Sequence, residues 1–565
     1  MKRLIPFIIA VILIVLIGAG YAGSIVMERY SYSQEKADLQ SYFHLDSQEQ
    51  VAVVWQDEII EAKGFLSGGV CYFDRKTASE LFTNRFYEDT STGELLYVLP
   101  EKIESTVIGS SVVMIGDDAK DYGHPVSFYQ GDELYLSVDL LKDHACFSYE
   151  LYLDPNRILI TSVWEPKQVA PLKKDTQIRY QGGVKSEILK EVSKGEQVTV
   201  LEAMDEWTKV KSSDGFIGYV ENKKLGDPIT ADPIPDTDYT EPDYYGNPKE
   251  GKINMAWHQI GGVGGNDTFS GYTANVKGVN VISPTWFHLS DNSGKLESYA
   301  SSSYVENAHA KGMEVWAAFN NFDDPGVDTY AVLHEQANRR FLISQIMEMA
   351  ETYGLDGINI DFEGLSAETG PAFVEFIREL SIPCRMNGLV LSIDNYVPMS
   401  GLNAFYDLKE QGVMADYVVI MGYDEHYAGS TEAGSVASIG YVEGGIARTV
   451  ELVPAEKVVN GIPFYTRIWE TTGTEVSSQA VGMEVAQQWL RDHNISTKWL
   501  EEECQNYGEY MSGDTLYQCW LEDAESIQVK LNVMKNYEIA GVAEWRLDLE
   551  TPEIWDVIAA YTASY

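Results

Sequence analysis

The chain has 565 residues, 45% of them hydrophobic, and its 86 acidic and 41 basic residues give a formal net charge of -45. This length exceeds what one hydrophobic core supports and indicates about three domains of ~100–200 residues each. The acidic excess argues against nucleic acid and anionic lipid surfaces as partners, because both require basic patches.

The amino terminus carries a hydrophobic run. Lys2 and Arg3 precede a mostly apolar stretch from Leu4 to Met27. The stretch reaches the ~20 residues needed to span a bilayer, and the basic pair favours a cytoplasmic amino terminus. Gly20-Tyr21-Ala22 fits a cleavage site for a secretory signal. We therefore predict that residues 1–30 are a signal anchor or, alternatively, a cleaved signal peptide. In both cases the bulk of the chain lies outside the cell.

Residues 31–166 read as short strands and turns. Between Gly131 and Trp164 apolar and polar residues alternate, with a turn at Asp154-Pro155-Asn156. This pattern resembles the stalk-like domain of the amino-terminal region of copper amine oxidases, which occurs on Gram-positive surface proteins. The resemblance implies an α+β spacer. It does not imply copper chemistry, because no histidine cluster has metal-ligand spacing.

Residues 167–226 have the pattern of a compact all-β module. Val198 and Val200 alternate with polar residues, Trp207 and Val210 follow, and a turn leads to Tyr219. The segment resembles a bacterial Src-homology-3-like (SH3) barrel, a module that often binds cell-wall peptides in related enzymes. Trp207 could contact such a peptide or pack in the core, and both alternatives stay open.

A linker rich in proline, aspartate and tyrosine follows at residues 227–250, which we expect to be semi-extended.

Residues 251–565 alternate between apolar strands and helical patterns, such as the amphipathic run Asn338–Tyr353. This alternation is typical of a parallel sheet. Eight strands predict a closed (β/α)8 TIM barrel; they are Ile253–Trp257, Val279–Ile282, Val315–Phe319, Gly357–Glu363, Val390–Ile393, Tyr417–Tyr423, Val458–Pro463 and Gly541–Trp545.

The fourth of these strands carries the most informative side chains. Because a strand alternates its faces, Asn359, Asp361 and Glu363 point to one side and the apolar residues between them to the other. Glu363 comes last, at the carboxyl end where a β/α barrel places its chemistry. We predict that it is the general acid. Asp356 has the opposite parity and is expected to fix the turn before the strand.

The same strand, in the context "YGLDGINIDFEGL", resembles the motif of glycoside hydrolase family 18, the chitinase-like barrels, and most of all its bacterial spore-germination and cell-wall branch. Asn359 stands where many members have an aspartate. Further matching segments follow in barrel order: "ISPTWF", "VWAAFNN", "MGYDEH", "GIPFYTR" and "GVAEWRLD".

The resemblance implies substrate-assisted catalysis, in which the 2-acetamido oxygen of the sugar attacks C1 and only one catalytic acid is needed. Glu363 would protonate the glycosidic oxygen, Asp361 would orient the acetamide, and Tyr423 would donate to its carbonyl. Expected sugar contacts are Asn359, Asp424, Trp545, Arg467, Trp286, Asn321 and Asp394. Asn359 cannot take up charge, which puts in doubt any relay to a deeper carboxylate.

No metal, nucleotide or other cofactor is expected. The run Gly261–Gly265 lacks the strand–helix frame of a phosphate loop. The five cysteines show no zinc-site spacing. Cys504 and Cys519 could bridge locally or remain isolated thiols, and we favour thiols.

We therefore expect a cell-surface or secreted bacterial glycosidase that cleaves β-linkages next to N-acetylglucosamine with retention. The expected partner is a glycan of the cell wall, peptidoglycan in preference to chitin. The alternatives are a chitinase or chitooligosaccharide hydrolase, a glycan-binding protein without turnover, and a two-carboxylate glycosidase with Asp424 as nucleophile.

Overall fold

The computed structural model describes residues 5–399 and 401–563. The chain forms two compact units: one runs to Phe86 and continues over Thr106–Glu241, and the other contains Tyr87–Ser105 and everything from Pro242 onward. These units are coarser than the domain boundaries derived from sequence, which stay a prediction.

A helix at Ile5–Tyr30 has a mean hydropathy of 2.6 over its most apolar window. It is long and apolar enough to cross a membrane, although a signal sequence has the same properties. The choice between anchor and signal peptide therefore stays open. Lys2 and Arg3, on which the predicted orientation rests, lie outside the described residues.

The first unit contains a seven-stranded sheet in the predicted stalk region. Its strands, in spatial order, are Ser148–Tyr152, Arg157–Thr161, Gln50–Trp55, Glu58–Ser67, Val70–Asp74, Glu133–Ser137 and Ser127–Gln130. The predicted turn at Asp154 joins two of them. The short helix Val138–Lys142 was not predicted; it forms because Ser137 caps it, accepting the N–H of Leu140, and because three of its five side chains are buried.

A second seven-stranded sheet in this unit corresponds to the SH3-like region. Its strands, in spatial order, are Ile188–Val192, Thr176–Arg179, Ile217–Glu221, Trp207–Lys211, Gln197–Ala203, Lys167–Pro171 and Ile229–Ala231. Val198, Val210 and Val220 fill its core. Trp207 is half-buried, so its role between packing and binding stays open.

The second unit is built on a closed parallel barrel, as predicted. Its strands are β1 (Ile253–His258), β2 (Val281–Leu289), β3 (Glu314–Asn320), β4 (Gly357–Asp361), β5 (Val390–Tyr396), β6 (Tyr417–Met421), β7 (Val458–Pro463) and β8 (Gly541–Trp545). Each strand pairs with the next in sequence, and β8 pairs with β1 to close the ring. A ninth strand, Leu296–Ser298, pairs antiparallel to β2.

Helices cover the outside of the barrel because the outward-facing side chains of the strands are apolar. The predicted amphipathic run is a helix at Gln336–Tyr353 that ends at Gly354, whose φ of 67° a glycine adopts without strain. The other helices of this unit are Phe269–Tyr272, Ser302–Ala310, Thr329–His334, Gly370–Met386, Leu408–Met414, Ile439–Val450, Met483–Asp492, Ala524–Asn536 and Ile554–Thr562.

A five-stranded antiparallel sheet, which was not predicted, is inserted between β7 and β8. Its strands, in spatial order, are Glu475–Gly482, Tyr465–Thr472, Thr515–Trp520, Gln505–Ser512 and Lys498–Leu500. Its first strand in sequence starts directly after β7 and so begins at the carboxyl end of the barrel.

The segment Tyr87–Ser105 belongs to the barrel unit although it lies far upstream in sequence. It forms a hairpin of Tyr87–Asp89 and Glu94–Val98. The buried Asp89 accepts a 2.8 Å hydrogen bond from Arg339, a guanidinium that is fully buried and also pairs with Glu379. The segment is therefore tied to the barrel helices by a charge network without access to water.

Candidate active site

The site is built on β4, whose side chains alternate between the inside and the outside of the barrel. Asn359 and Asp361 are buried and point into the barrel, whereas Ile358 and Ile360 pack outward against the helices. Glu363 follows two residues after Asp361, just beyond the end of the strand, and is half-exposed. The two carboxylates therefore lie at the carboxyl-terminal mouth of the barrel, where side chains can reach a substrate.

A cavity of about 220 Å³ opens at this mouth. Carboxyl, aromatic and amide side chains share it. The lining residues are Trp257, Gln259, Phe322, Asp361, Glu363, Asp394, Tyr396, Met421, Tyr423, Asp424 and Trp545. Within the described part of the chain, none of these residues is a lysine or an arginine, so no cation neutralises the four carboxyl groups.

Glu363 is held from two sides. Tyr396 donates a 2.6 Å hydrogen bond to its Oε2. Asn321 accepts the N–H of Glu363 at 2.8 Å and donates to its carbonyl oxygen at 2.9 Å. Burial raises the pKa of the Glu363 carboxyl, the bond from Tyr396 opposes that rise, and the charge of Asp424 adds to it. The carboxyl is therefore fixed in place and retains a proton to higher pH than an isolated glutamate.

Asp361 has no hydrogen-bond partner for its buried Oδ1 among the described residues. Burial is the largest cause of a pKa well above the usual value of this carboxyl, followed by the nearby charges of Asp394, Glu363 and Asp323. An unpaired buried acceptor is costly. This oxygen is thus placed to accept a hydrogen bond from a ligand in the cavity.

Asn359 lies beneath the cavity and is fully buried. Its Oδ1 accepts from Trp257 Nε1 at 3.2 Å and from Ser283 Oγ at 3.1 Å. Its Nδ2 donates to Ser392 Oγ at 3.0 Å and to Asp394 Oδ1 at 2.8 Å. All of its hydrogen-bonding capacity is used inside the protein, so the amide is a scaffold for its neighbours.

Tyr423 and Asp424 follow the end of β6. The ring of Tyr423 is buried and lines the cavity, and burial is the largest cause of its raised pKa. The phenol therefore stays protonated and can donate a hydrogen bond into the cavity. Asp424 is exposed and accepts a 2.5 Å bond from Tyr465.

Trp545 ends β8 and lines the cavity together with Trp257. The two indole rings meet edge to face, with centroids 5.9 Å apart. This packing holds the Trp545 ring in place. A fixed, flat apolar ring beside carboxylates suits the C–H face of a sugar.

Four predicted sugar contacts do not line the cavity, and one of them is Asn359, which lies beneath it. Trp286 is fully buried and donates to Asn266, so it packs between the strand and the helices. Asn321 lines a neighbouring depression and clamps the backbone of Glu363. Arg467 lines another depression beside Tyr465 and Trp545, on the strand that follows β7. The structure thus brings together Glu363, Asp361, Tyr423, Asp424, Trp545 and Asp394, with Asn359 directly beneath.

Sequence reasoning missed Tyr396, Trp257, Gln259 and Tyr465 as parts of the site. Tyr396 has the same strand parity as Asp394 and ends β5, a signal that could have identified it. Among the described residues, no group of three or more histidine, cysteine, aspartate and glutamate side chains is arranged to hold a metal ion. All five cysteines are free thiols.

Asp356 lies at the opposite end of β4. Its Oδ2 accepts a 2.8 Å hydrogen bond from the N–H of Val315 and bonds to His309 at 2.7 Å. It ties the start of β4 to β3, which fits the structural role expected for it.

The model of glycosyl hydrolases family 18 matches residues 256–550, and the bacterial SH3 domain matches residues 174–225. YdhD of Bacillus subtilis, named as a sporulation-specific glycosylase, is 28% identical over 286 residues, or 48% of this chain and 66% of YdhD. The cortical fragment-lytic enzyme of Bacillus subtilis is 28% identical over 232 residues, or 40% of this chain and 54% of that enzyme.

Among solved structures, the spore cortex-lytic enzyme SleL of Bacillus cereus aligns with a TM-score of 0.50 at 22% identity, covering 60% of this chain and 77% of SleL. This alignment supports the fold. The matched region spans less than two thirds of YdhD and about half of the cortical fragment-lytic enzyme.

Proposed function

Because the chain belongs to glycoside hydrolase family 18, we propose that this glycosidase cleaves β-linkages next to N-acetylglucosamine by substrate-assisted, retaining catalysis, with peptidoglycan as its substrate. The observation that carries the proposal is the pairing of two carboxyls with different surroundings. Glu363 is fixed by Tyr396 and Asn321, whereas Asp361 keeps an unpartnered oxygen in the same cavity. One carboxyl is prepared to give a proton and the other to accept a hydrogen bond.

Cleavage would begin with the proton of Glu363 passing to the glycosidic oxygen. As the bond to the leaving sugar breaks, the acetamido oxygen attacks C1 and forms an oxazolinium ring. Tyr423 donates to that oxygen before ring closure and so aligns the attack. Asp361 accepts the N–H of the ring and stabilises its positive charge. Such positioning contributes up to ~7–11 kcal/mol of the barrier in favourable cases.

Hydrolysis would then reverse the role of Glu363. The carboxylate takes a proton from a water molecule, the resulting hydroxide equivalent attacks C1, and the oxazolinium ring opens. Two inversions at C1 give net retention. The raised pKa of Glu363 serves both steps, because the group must hold a proton and then recover one near neutral pH.

Three observations favour peptidoglycan as the substrate class. Two of the similar proteins, the cortical fragment-lytic enzyme of Bacillus subtilis and the spore cortex-lytic enzyme SleL of Bacillus cereus, are named for lysis of the cortex or its fragments. A bacterial SH3 domain precedes the barrel. The amino-terminal helix is apolar enough to hold the chain at a membrane, on whose outer face we propose that the enzyme acts; secretion is the alternative.

Mass spectrometry of digests tests the substrate. The wild-type protein is incubated separately with purified peptidoglycan and with chitin oligomers, and the sugar at each new reducing end is identified. Release of fragments ending in N-acetylglucosamine from peptidoglycan supports the proposal. Cleavage of chitin oligomers alone would make the protein a chitooligosaccharide hydrolase, and binding without cleavage of either would make it a glycan-binding protein.

A second experiment tests the mechanism. A substrate-assisted enzyme requires the 2-acetamido group and binds a thiazoline mimic of the cyclised intermediate tightly, because the mimic resembles the transition state. Equal hydrolysis of glucosides and N-acetylglucosaminides would contradict the mechanism. Trapping of a fluorinated sugar on Asp424 would establish the two-carboxylate alternative.

A further inference from the structure

The amide of Asn359 has only one orientation that satisfies its neighbours. The indole N–H of Trp257 can only donate, so the atom facing it must be the amide oxygen. Ser283 donates to the same oxygen. The NH2 group therefore points to the other side, towards Asp394, and donates to Oδ1 of that carboxyl.

Asp394 and Asp361 are neighbours across two paired strands. In the register of β4 and β5, Ile360 lies opposite Ile393, so the next residues along, Asp361 and Asp394, also lie side by side. Adjacent strands are ~4.8 Å apart, and both side chains point into the barrel. Both are nearly without solvent exposure and both line the cavity.

Among the described residues that line the cavity around this pair, none carries a compensating positive charge. Glu363 faces it from the end of β4, Asp323 from the segment after β3, Tyr396 from β5, and Tyr423 and Asp424 from β6. The two buried carboxylates cannot both be ionised without a large electrostatic cost, so the pair retains a proton.

We propose that Asp394 is the positioning residue that shares a proton with Asp361 and takes that proton over when Asp361 must become an anion. The inference rests on the proposed function, because an anionic Asp361 is needed only if the acetamide becomes positively charged. One proton moves from a carboxyl oxygen of Asp361 to the carboxyl of Asp394, no other bond changes, and the proton returns when the oxazolinium ring opens.

Asn359 gives this transfer a direction. Since its Nδ2 already occupies Oδ1 of Asp394, a proton arriving on Asp394 resides on Oδ2. An amide at position 359 cannot itself store the proton, so the carboxyl that performs this task comes from β5 instead of β4. Burial is the largest cause of the raised pKa of Asp394, about 8, which lets this group hold a proton at neutral pH.

The decisive experiment first removes the carboxyl at position 394 and then exchanges it with the amide at position 359. Asp394→Asn removes the proton acceptor, and we expect kcat/KM on N-acetylglucosamine oligomers to fall on the order of 10²-fold, the lower range for a proton-transfer group. The acid limb of kcat/KM, on which we expect Asp361 to titrate, should move to lower pH. The reason is that the like charge of Asp394, which raises the pKa of Asp361, is gone.

The double variant Asn359→Asp/Asp394→Asn returns one carboxyl and one amide to the same two positions with the hydrogen bond reversed. We expect it to recover at least tenfold of the lost activity and to shift the pH limb back. A simple packing role for Asp394 predicts no such recovery. Thermal unfolding of each variant verifies that it is folded.

Proton release on binding gives a readout that does not depend on turnover. Calorimetry of thiazoline binding in buffers of different ionisation enthalpy counts protons, and this count should differ between the wild type and Asp394→Asn. An unchanged proton count in the folded variant would overturn the proposal even if the wild-type enzyme cleaved no glycan offered to it.

If the wild type is active, an unchanged pH profile in Asp394→Asn, or a double variant no better than the single one, would also overturn it. Failure of the wild type to hydrolyse any N-acetylglucosaminide contradicts the proposed function alone.

Discussion

The phenol of Tyr396 donates a 2.6 Å hydrogen bond to Oε2 of Glu363, and its own oxygen accepts the N–H of Gly364 at 3.2 Å. The two bonds hold the ring against the acid residue. We therefore expect a proton on Glu363 to reside on Oε1, because Oε2 already accepts the bond from Tyr396.

Tyr396→Phe removes this bond while keeping the ring. The bond stabilises the ionised carboxylate, so its loss should raise the pKa of Glu363. A general acid must be protonated, and the basic limb of kcat/KM should therefore move to higher pH, with a lower maximum because the carboxyl is less well oriented. A pH–rate profile measures both effects. A basic limb that stays in place or moves to lower pH would contradict this coupling.

Glu363→Gln should abolish hydrolysis while leaving glycan binding largely intact, because the change removes the proton donor and alters the volume little. The rate should fall on the order of 10²–10⁴-fold, the usual contribution of a general acid. Steady-state kinetics and calorimetric binding of an oligosaccharide separate the two effects. Residual activity above about a tenth of the wild type would place the acid elsewhere.

Asn359→Asp should be tolerated, because a carboxylate can still accept the bonds from Trp257 and Ser283. It loses the donor to Asp394 and sets a like charge beside that group. The cluster should then hold a proton to higher pH, which moves the acid limb of kcat/KM upward. Asn359→Ser serves as the uncharged control and should not show this shift.

Asp89→Ala should destabilise the barrel unit. Asp89 and Arg339 are both fully buried, and removing one partner of a buried ion pair typically costs about 3–5 kcal/mol. Glu379 remains as a second partner of Arg339, so we expect the lower end of that range. Asp556→Ala, which breaks an exposed pair with Lys277, is the matched control and should change stability little. Denaturant unfolding followed by tryptophan fluorescence compares the two, and equal losses would contradict the burial argument.

The sequence alone determined the barrel and the strand that leads to Glu363, the proposed acid. Each of the eight predicted strands overlaps a strand of the barrel, since apolar runs separated by helical patterns leave few alternatives to a parallel sheet. The alternation of β4 is local: the parity of a strand decides that Asp361 points inward with Asn359. No long-range information was needed for this part of the site.

Tertiary structure decided the remainder. Trp286 was predicted as a sugar contact but is buried against Asn266, because the fold and not strand position determines what covers a side chain. Tyr396 reaches Glu363 across 33 positions in sequence, and Asp394 reaches Asn359 across 35. Side chains so far apart come together only through the register of neighbouring strands, which a single sequence does not encode locally.

The hairpin within Tyr87–Ser105 is a second feature that could not be assigned from the sequence. Its sequence has the pattern of the strands around it, and nothing local marks it as part of the barrel unit. Arg339 links the hairpin to the barrel unit. A fully buried guanidinium needs carboxylate partners, and one of them, Asp89, lies 250 positions upstream in the hairpin. Local periodicity therefore determined which segments form strands and helices, whereas the pairing of buried charges, which depends on three-dimensional proximity, decided which distant segments belong together.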